Sequence, residues 1–406
     1  MVNIALLGYG VVGSGVVELV ERYNDRLGRK EINIVSILVR NKSKHRDELY
    51  SDLITEDINE LLNKGFDILV EVMGGLHPTY EYVESAIKAN KNIITANKDL
   101  IAELGEPLFL LAKEHGVTLR FEASVAGGIP IIKPLTESLR SGNNIESIKA
   151  ILNGTTNFIL TKMDKEGLEY KEALKIAQEL GFAEANPEAD VLGYDAARKL
   201  AILSSIAYDQ KVYWKDIITE GITNIDSKDF KYANSINCKI KLVAQSKRNK
   251  DSIYAAVKPV LISNEDKLAN VDNEFNSVTV TGDAVGELIF TGKGAGKLPT
   301  ASAVFGDLID LIENRTYTVD CFKGNISELD NSISQSCEAM IRISTLESET
   351  AINEAKQHFE NVKCVDIAED EVIILAGADS ENELENRVKQ ISNLAFVSGV
   401  KTMMVI

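Results

Sequence analysis

Apolar residues in the first third of the chain fall into short unbroken runs separated by stretches with helical spacing. The runs Val2–Leu7, Ile34–Val39, Ile68–Val72, Ile93–Thr95 and Thr118–Phe121 read as strands, with helices at Val11–Leu27 and Thr79–Ala89. Strands rich in Ile, Val and Leu with little alternation are buried on both faces, and strands alternating with helices build parallel βαβ units. The pattern therefore predicts an α/β fold over residues 1–130, a doubly wound parallel sheet.

Near Ile131 the pattern changes. Tyr170–Leu180 has helical spacing and stops at Gly181, a residue suited to the left-handed position after a helix, and a more apolar helix runs to about Tyr208. Alternation at Ile253–Val260 and Val278–Val280 predicts antiparallel strands. A mixed α+β domain is expected over residues 131–296, with residues 297–315 packing back on the first domain. From about Glu338 the order is β-α-β-β-α-β, with strands Met340–Ser344, Val362–Ile367, Val372–Ala376 and Val400–Ile406 and helices Thr350–Phe359 and Glu381–Leu394. That order predicts a small ferredoxin-like domain over residues 335–406, after a linker at 316–334.

Composition narrows the classes of function. The 406 residues are 45 % hydrophobic and 26 % charged, enough for a sizeable core, and 44 basic against 61 acidic residues give a formal charge of −17. An acidic surface disfavours nucleic acid or an anionic membrane as partner. No apolar run approaches the roughly 18 residues of a membrane span, and the N-terminus lacks the basic segment of a signal peptide. Cys238, Cys321, Cys337 and Cys364 are scattered, and the four His residues lack H-E-x-x-H spacing. A reduced, cytoplasmic protein is expected.

Gly8-Tyr9-Gly10-Val11-Val12-Gly13 follows a predicted strand and opens a predicted helix, the context that gives G-x-G-x-x-G its meaning. Gly8 permits the turn, Gly10 lets a pyrophosphate approach the backbone, and Gly13 lets helix and strand pack. Val11 and Val12 offer the N–H groups of the first helical turn. An NAD site usually has an acid at the end of the second strand. Here Arg40 stands there, followed by Lys42 and Lys44, which favours the 2′-phosphate of NADP over NAD.

Lys98 follows the strand Ile93–Thr95, and Glu122 opens Glu122–Pro130. Both positions fall at carboxyl ends of strands, where such sheets bind ligands. Asp195 and Lys199 are four apart on one helix, next to the apolar stretch Leu200–Ala207. A lysine at the edge of a buried helix is placed for proton transfer, whereas an exposed ion pair would contribute only about 0.3–0.5 kcal/mol. Glu184, Glu188 and Asp190 are carboxylates that could alternatively hold a divalent ion. Gly292–Gly296 precedes a further helix and is either a close-approach loop or a plain connection.

Together these stretches resemble homoserine dehydrogenases. The resemblance runs through Gly8–Gly13, Thr95–Lys98, Glu122–Pro130, Leu152–Phe158, Gly181–Lys199 and Gly294–Val304, and spans residues 1–320. It implies NAD(P)-dependent interconversion of L-homoserine and L-aspartate 4-semialdehyde on the route to threonine, isoleucine and methionine. By position it implies Lys199 as proton donor, Lys98 as a second cation near the reacting carbonyl and the cofactor, and Asp195 in the substrate site. It also implies Glu184, with Asp190, at the substrate, Gly296 at the cofactor, and a sodium ion bound by Glu122, Val125, Gly127 and Ile129, mostly through backbone carbonyls. It implies, too, that residues 131–296 bind substrate and make a homo-oligomer, dimer or tetramer.

The C-terminal part resembles an ACT regulatory domain, which implies feedback by an amino acid such as threonine. Its first strand–helix turn, Ser344–Ser348, lacks the glycine common at such effector sites, which leaves two readings open, a regulatory domain with an amino-acid effector or a domain mainly for assembly. An aspartate-semialdehyde dehydrogenase would need a cysteine nucleophile, and none lies in a strand-end loop of the first domain. The remaining alternative is a dinucleotide- or amino-acid-sensing regulator without turnover.

Overall fold

The computed structural model describes residues 1–249, 252–315, 329 and 336–406; Cys321 and, apart from Leu329, the predicted linker lie outside these. The strands are β1 (Val2–Leu7), β2 (Ile32–Leu38), β3 (Ile54–Thr55), β4 (Ile68–Glu71), β5 (Asn92–Thr95), β6 (Leu119–Arg120), β7 (Ile145–Ile151) and β8 (Ile218–Thr219). They continue with β9 (Cys238–Asn249), β10 (Ser252–Ser263), β11 (Phe275–Gly282), β12 (Gly286–Lys293), β13 (Cys337–Ser344), β14 (Glu360–Ile367), β15 (Glu371–Ala378) and β16 (Gly399–Val405). The helices are α1 (Val11–Leu27), α2 (Ile58–Leu62), α3 (Thr79–Lys88), α4 (Lys98–Glu114), α5 (Gly154–Glu166) and α6 (Tyr170–Glu179). Then come α7 (Glu188–Val191), α8 (Tyr194–Tyr208), α9 (Ser227–Ser235), α10 (Lys297–Ile312), α11 (Ser348–His358) and α12 (Glu381–Ser392).

The chain divides into two compact units. The first holds Met1–Ile148, Arg198–Asp216 and, as far as described, residues 276–315. Its six-stranded sheet has the order β3-β2-β1-β4-β5-β6, with every pairing parallel. The order reverses between β1 and β4, which makes the crevice at their carboxyl ends the topological switch point. The doubly wound sheet predicted from the apolar runs is present. Two-residue β3 was not read, because so short a segment carries no periodicity. Helix α4 was not read either, since Gly105 and Pro107 interrupt it; yet both are accommodated within a 17-residue helix.

Helix α10 packs on α1: Ala301, Val304 and Leu308 join Val16, Val17 and Val20 in one core. The approach is close at Gly15, where an added Cβ would lie 2.7 Å from the Lys297 carbonyl oxygen. Charges are buried beneath α10. Arg120 is fully buried and faces Asp310 at 3.4 Å, and the Lys133 ammonium reaches both oxygens of Asp310 at 2.6 and 2.7 Å. Asp307 accepts the Glu122 N–H at 2.9 Å. Burial, reinforced by the Glu122 carboxylate, pushes the Asp307 pKa well above the usual carboxylate range.

The second unit holds Lys149–Ala197, Ile217–Phe275 and described residues 336–406. Strands β9 and β10 pair antiparallel from Cys238 opposite Ser263 to Asn249 opposite Ser252. Strand β9 was not anticipated, because Lys239, Lys241, Lys247 and Arg248 mask its apolar face. The C-terminal β-α-β-β-α-β order is as expected, and its strands lie β16-β13-β15-β14, all antiparallel. One face of this sheet forms a core with Ile341, Ile343, Val372 and Ile374.

Arg342 carries an ion cluster in this unit. Its guanidinium reaches Asp226 and Glu371 at 2.9 Å and Asp229 at 2.5 Å, and Glu371 also accepts from Lys228 at 2.9 Å and the Tyr232 hydroxyl at 2.8 Å. Burial alone would raise the Glu371 carboxyl, but Lys228, Tyr232 and Arg342 outweigh it and hold its pKa at about 2. Because the folded-state value is depressed, this stabilisation is complete above the ordinary pKa of 4.5 and is lost as pH falls toward 2. The loss should be on the order of 3 kcal/mol, read as a falling urea midpoint by circular dichroism. Glu371→Gln should lower stability at neutral pH and flatten the acid limb; an unchanged acid limb would assign the pH dependence to other groups.

Candidate active site

Strand β1 delivers the chain to Gly8, whose φ of +105° only glycine adopts without strain, and Gly10 caps α1 with no side chain of its own. A Cβ on Gly13 would lie 2.4 Å from the Gly8 carbonyl oxygen, so helix and loop could not meet there with a larger residue. A Cβ on Gly10 would meet nothing within 4 Å. The space over the helix terminus is thus open, and the first turn of α1, with Val11 and Val12, contains no acid. N–H groups, positive dipole end and open space fit a dinucleotide pyrophosphate.

Arg40 is exposed two residues beyond β2, and Lys42 and Lys44 lie exposed in a 3-10 turn capped by Asn41. Tyr9 stacks on His45 of that turn, ring centroids 5.6 Å apart, and its hydroxyl donates to the Leu49 carbonyl at 2.6 Å. Burial, with a contribution from the Glu48 carboxylate, pushes the Tyr9 pKa up to about 12. The basic turn and the glycine loop are therefore in contact, which spacing alone did not reveal.

At the ends of β4 and β5, Glu71 organises the backbone. It is fully buried and accepts from the N–H groups of Met73 at 2.8 Å and Gly74 at 3.0 Å and from the Thr95 hydroxyl. The Asn97 side chain caps α4 by accepting from Leu100 N–H at 3.0 Å and donates to the Gly75 carbonyl at 2.7 Å. Lys98, half-buried, is the first residue of that helix. Sequence reading did not single out Glu71. The available signal was an acid ending the apolar run Ile68-Leu69-Val70.

Three acids of α4 anchor the segment that carries Lys199. Asp99 pairs with Arg198 at 3.3 Å, Glu103 accepts from the Trp214 indole at 2.7 Å, and Glu106 binds Lys211 at 2.6 Å. Arg198 also lies over the Trp214 ring, 4.0 Å from its centroid. The immediate neighbours of Lys98 and Lys199 are thus ion-paired.

The loop from Glu122 is held from within. The Glu122 carboxylate accepts three consecutive N–H groups, from Ile131 at 2.6 Å, Ile132 at 2.9 Å and Lys133 at 2.7 Å. Burial pushes its pKa up and these donors oppose the rise. Val125, Gly127 and Ile129 follow, with Ala126 and Gly127 both left-handed at φ +56° and +55°. A Cβ on Gly127 would lie 2.3 Å from the Gly294 carbonyl oxygen, and the Gly128 N–H donates to Lys293 at 3.0 Å. The second glycine cluster is therefore a close-approach loop. Gly296, at φ +121°, leads into α10.

In the second unit, Asn153 links two acids. It caps α5 through Thr156 N–H at 2.8 Å and donates to Asp190 at 2.6 Å and Asp195 at 2.8 Å. Asp195 is buried at the start of α8. Glu184 is exposed on the loop after α6, where its carbonyl accepts from Gln178. Among the described residues no group of three or more His, Cys, Asp or Glu side chains is placed to hold a metal, which overturns the Glu184–Glu188–Asp190 alternative. Asp190 turns to Asn153 instead. No helix of the described residues is long and apolar enough to cross a membrane.

The glycine loop, the basic turn and the ends of β4 and β5 share the carboxyl edge of the sheet, where NAD(P)-dependent oxidoreductases of this topology bind their dinucleotide. Comparison with known proteins agrees and is more specific. The family model for homoserine dehydrogenase matches residues 130–309, and that for its NAD-binding domain matches residues 8–122. The chain is 42 % identical to homoserine dehydrogenase of Bacillus subtilis (strain 168) over 318 residues, 77 % of this chain and 73 % of that one. A homoserine dehydrogenase structure from Thiobacillus denitrificans superposes with a TM-score of 0.90 at 35 % identity, covering 100 % of this chain and 98 % of the other. A hyperthermophilic archaeal homoserine dehydrogenase in complex with NADPH matches at a TM-score of 0.67 and 30 % identity, over 78 % of this chain and 99 % of the other.

The chain belongs to the homoserine dehydrogenase family, oxidoreductases that interconvert L-homoserine and L-aspartate 4-semialdehyde with a nicotinamide dinucleotide. Its glycine loop gives a direct test. Gly10→Ala adds a methyl group where the protein has nothing to clash with, so the thermal midpoint should not move. Dinucleotide affinity, measured by calorimetry, should fall on the order of tenfold or more; unchanged affinity would place the pyrophosphate elsewhere.

Proposed function

We propose that this enzyme reduces L-aspartate 4-semialdehyde with NADP in preference to NAD, using Lys199 as proton donor and Lys98 as the second cation at the reacting carbonyl. The observation that carries the reading is the Arg198–Asp99 ion pair, which joins the turn of α8 bearing Lys199 to the first turn of α4 bearing Lys98. The bound cofactor supplies hydride to the carbonyl carbon. As negative charge grows on the aldehyde oxygen, the lysine ammonium groups stabilise it and Lys199 delivers the proton.

Asp195 and Asp190, gathered by Asn153, belong to the substrate site, and Glu184 is the partner for the substrate ammonium group. Arg40, with Lys42 and Lys44, takes the 2′-phosphate; Gly8, Gly10, Val11, Val12, Gly13, Lys98 and Gly296 are the other cofactor contacts. Backbone carbonyls at Glu122, Val125, Gly127 and Ile129 hold a sodium ion, a role supported by the left-handed Ala126 and Gly127, which fold that loop back on itself. The ferredoxin-like domain is the ACT-like element, serving assembly of a homo-oligomer, dimer or tetramer, rather than threonine sensing. A cytoplasmic location suits the free thiols.

The reaction is tested by the absorbance of reduced cofactor when the protein meets L-homoserine with NADP⁺, then with NAD⁺, at alkaline pH. Reduction with NADP⁺ above NAD⁺ supports the reading; silence with both, in a chain that still binds dinucleotide, favours the sensor alternative. Lys199→Ala should lose at least about a hundredfold in kcat, within the usual span of acid–base catalysis, with cofactor affinity retained. Near-normal turnover would remove Lys199 from its role. Arg40→Ala should weaken NADP by roughly tenfold while leaving NAD nearly unchanged; equal weakening would show that Arg40 does not read the phosphate.

A further inference from the structure

We propose that the buried carboxylate of Glu71 biases the dinucleotide site toward the oxidised, cationic form of the nicotinamide. The proposal rests on the reading that the switch-point crevice takes NAD(P). Glu71 is the last residue of β4 and lies in register with Leu7 of β1 on one side and Thr95 of β5 on the other. Leu7 leads directly into the glycine loop. An added Cβ on Gly8 would lie 3.0 Å from the Val72 carbonyl oxygen, so the loop that Glu71 holds rests against the loop that cradles the pyrophosphate.

The hydrogen bonds define the charge state. Met73 and Gly74 donate backbone N–H groups to one oxygen of Glu71, and the Thr95 hydroxyl meets the other. The Thr95 hydroxyl donates to Glu71 while its oxygen accepts the Asn97 N–H at 3.0 Å. Every partner is therefore a donor, the pattern of an ionised carboxylate that can only accept. Burial pushes its pKa up and these donors oppose the rise. The carboxylate is held by these hydrogen bonds.

An anion in that position, out of water at 0 % exposure, has a field that solvent screens little. The oxidised nicotinamide ring carries a positive charge and the reduced ring none, while the phosphates and ribose are common to both. The field of Glu71 therefore distinguishes the two redox forms and little else. Its supports are fixed: the Asn97 amide donates to Gly75 and the Thr79 hydroxyl donates to Gly74 at 2.8 Å, so the charge does not drift from the crevice.

Glu71→Gln removes the charge and keeps the shape. The amide oxygen can accept from Met73 and Gly74, and its NH2 can donate to Thr95. Dissociation constants for NADP⁺ and NADPH are measured by calorimetry on the full chain, with Glu71→Asp as a charged control. The Gln variant should weaken NADP⁺ relative to NADPH on the order of tenfold, and the Asp variant should keep the wild-type ratio within about twofold. Equal weakening of both forms by Gln, or an unchanged ratio, overturns the proposal and leaves Glu71 a loop support. A Gln variant that fails to fold while Asp folds also overturns it, by assigning the charge to stability. A wild-type chain that binds neither form removes the dinucleotide reading, and the proposal with it.

Discussion

A carboxylate taken out of water must be given donors, and at the carboxyl edge of the six-stranded sheet those donors are the backbone N–H groups of the loops that build the site. Glu71 collects Met73 and Gly74; Glu122 collects Ile131, Ile132 and Lys133; Asp307 collects Glu122 itself. Each acid fixes a segment that carries no regular hydrogen-bond ladder. The arrangement has a cost, visible in the upward-pushed pKa of all three groups. That cost is accepted where loop shape matters most, around the glycine cradle and the turn through Ala126 and Gly127.

The second unit solves a similar problem with neutral and cationic donors. Asn153 spends its amide N–H groups on Asp190 and Asp195 while its carbonyl caps α5, so one side chain sets a helix start and two acids. Arg342 gathers Asp226, Asp229 and Glu371, and there the acid ends with a depressed pKa because cations, not only amides, surround it. Burial outweighs the donors around Glu71, Glu122 and Asp307 and pushes their pKa values up, whereas the acid held by Lys228, Tyr232 and Arg342 contributes stability that depends on pH.

Periodicity made the parallel strands legible because they are apolar throughout, and Gly8, Gly10 and Gly13 were legible because strand, loop and helix follow one another within a few residues. The β-α-β-β-α-β order of the C-terminal part was equally clear. What stayed hidden depends on partners remote in sequence. Glu71 reads as one acid in an apolar run until Thr95, 24 residues on, donates to it. Arg120 lies in a two-residue strand and gains meaning only from Asp310 beneath α10. Helix α4 was hidden by Pro107 and Gly105, and with it went the acidic stripe Asp99, Glu103 and Glu106. The roles carried over for Lys98 and Glu184 came from resemblance, whereas proton transfer at Lys199 was also read from its place beside the apolar stretch Leu200–Ala207.

A chain with a formal charge of −17 that binds a polyanionic cofactor presents an apparent conflict, which distance resolves. At physiological ionic strength exposed charges are screened beyond about 8 Å, so the net charge acts on approach and not on the bound phosphates. What the chain offers locally is an α1 terminus with no acid in its first turn, and a basic turn brought alongside by the stacking of Tyr9 on His45. Glu71 and Glu122, at the same edge, are buried and accept from backbone donors, so the charge a ligand meets there is set residue by residue.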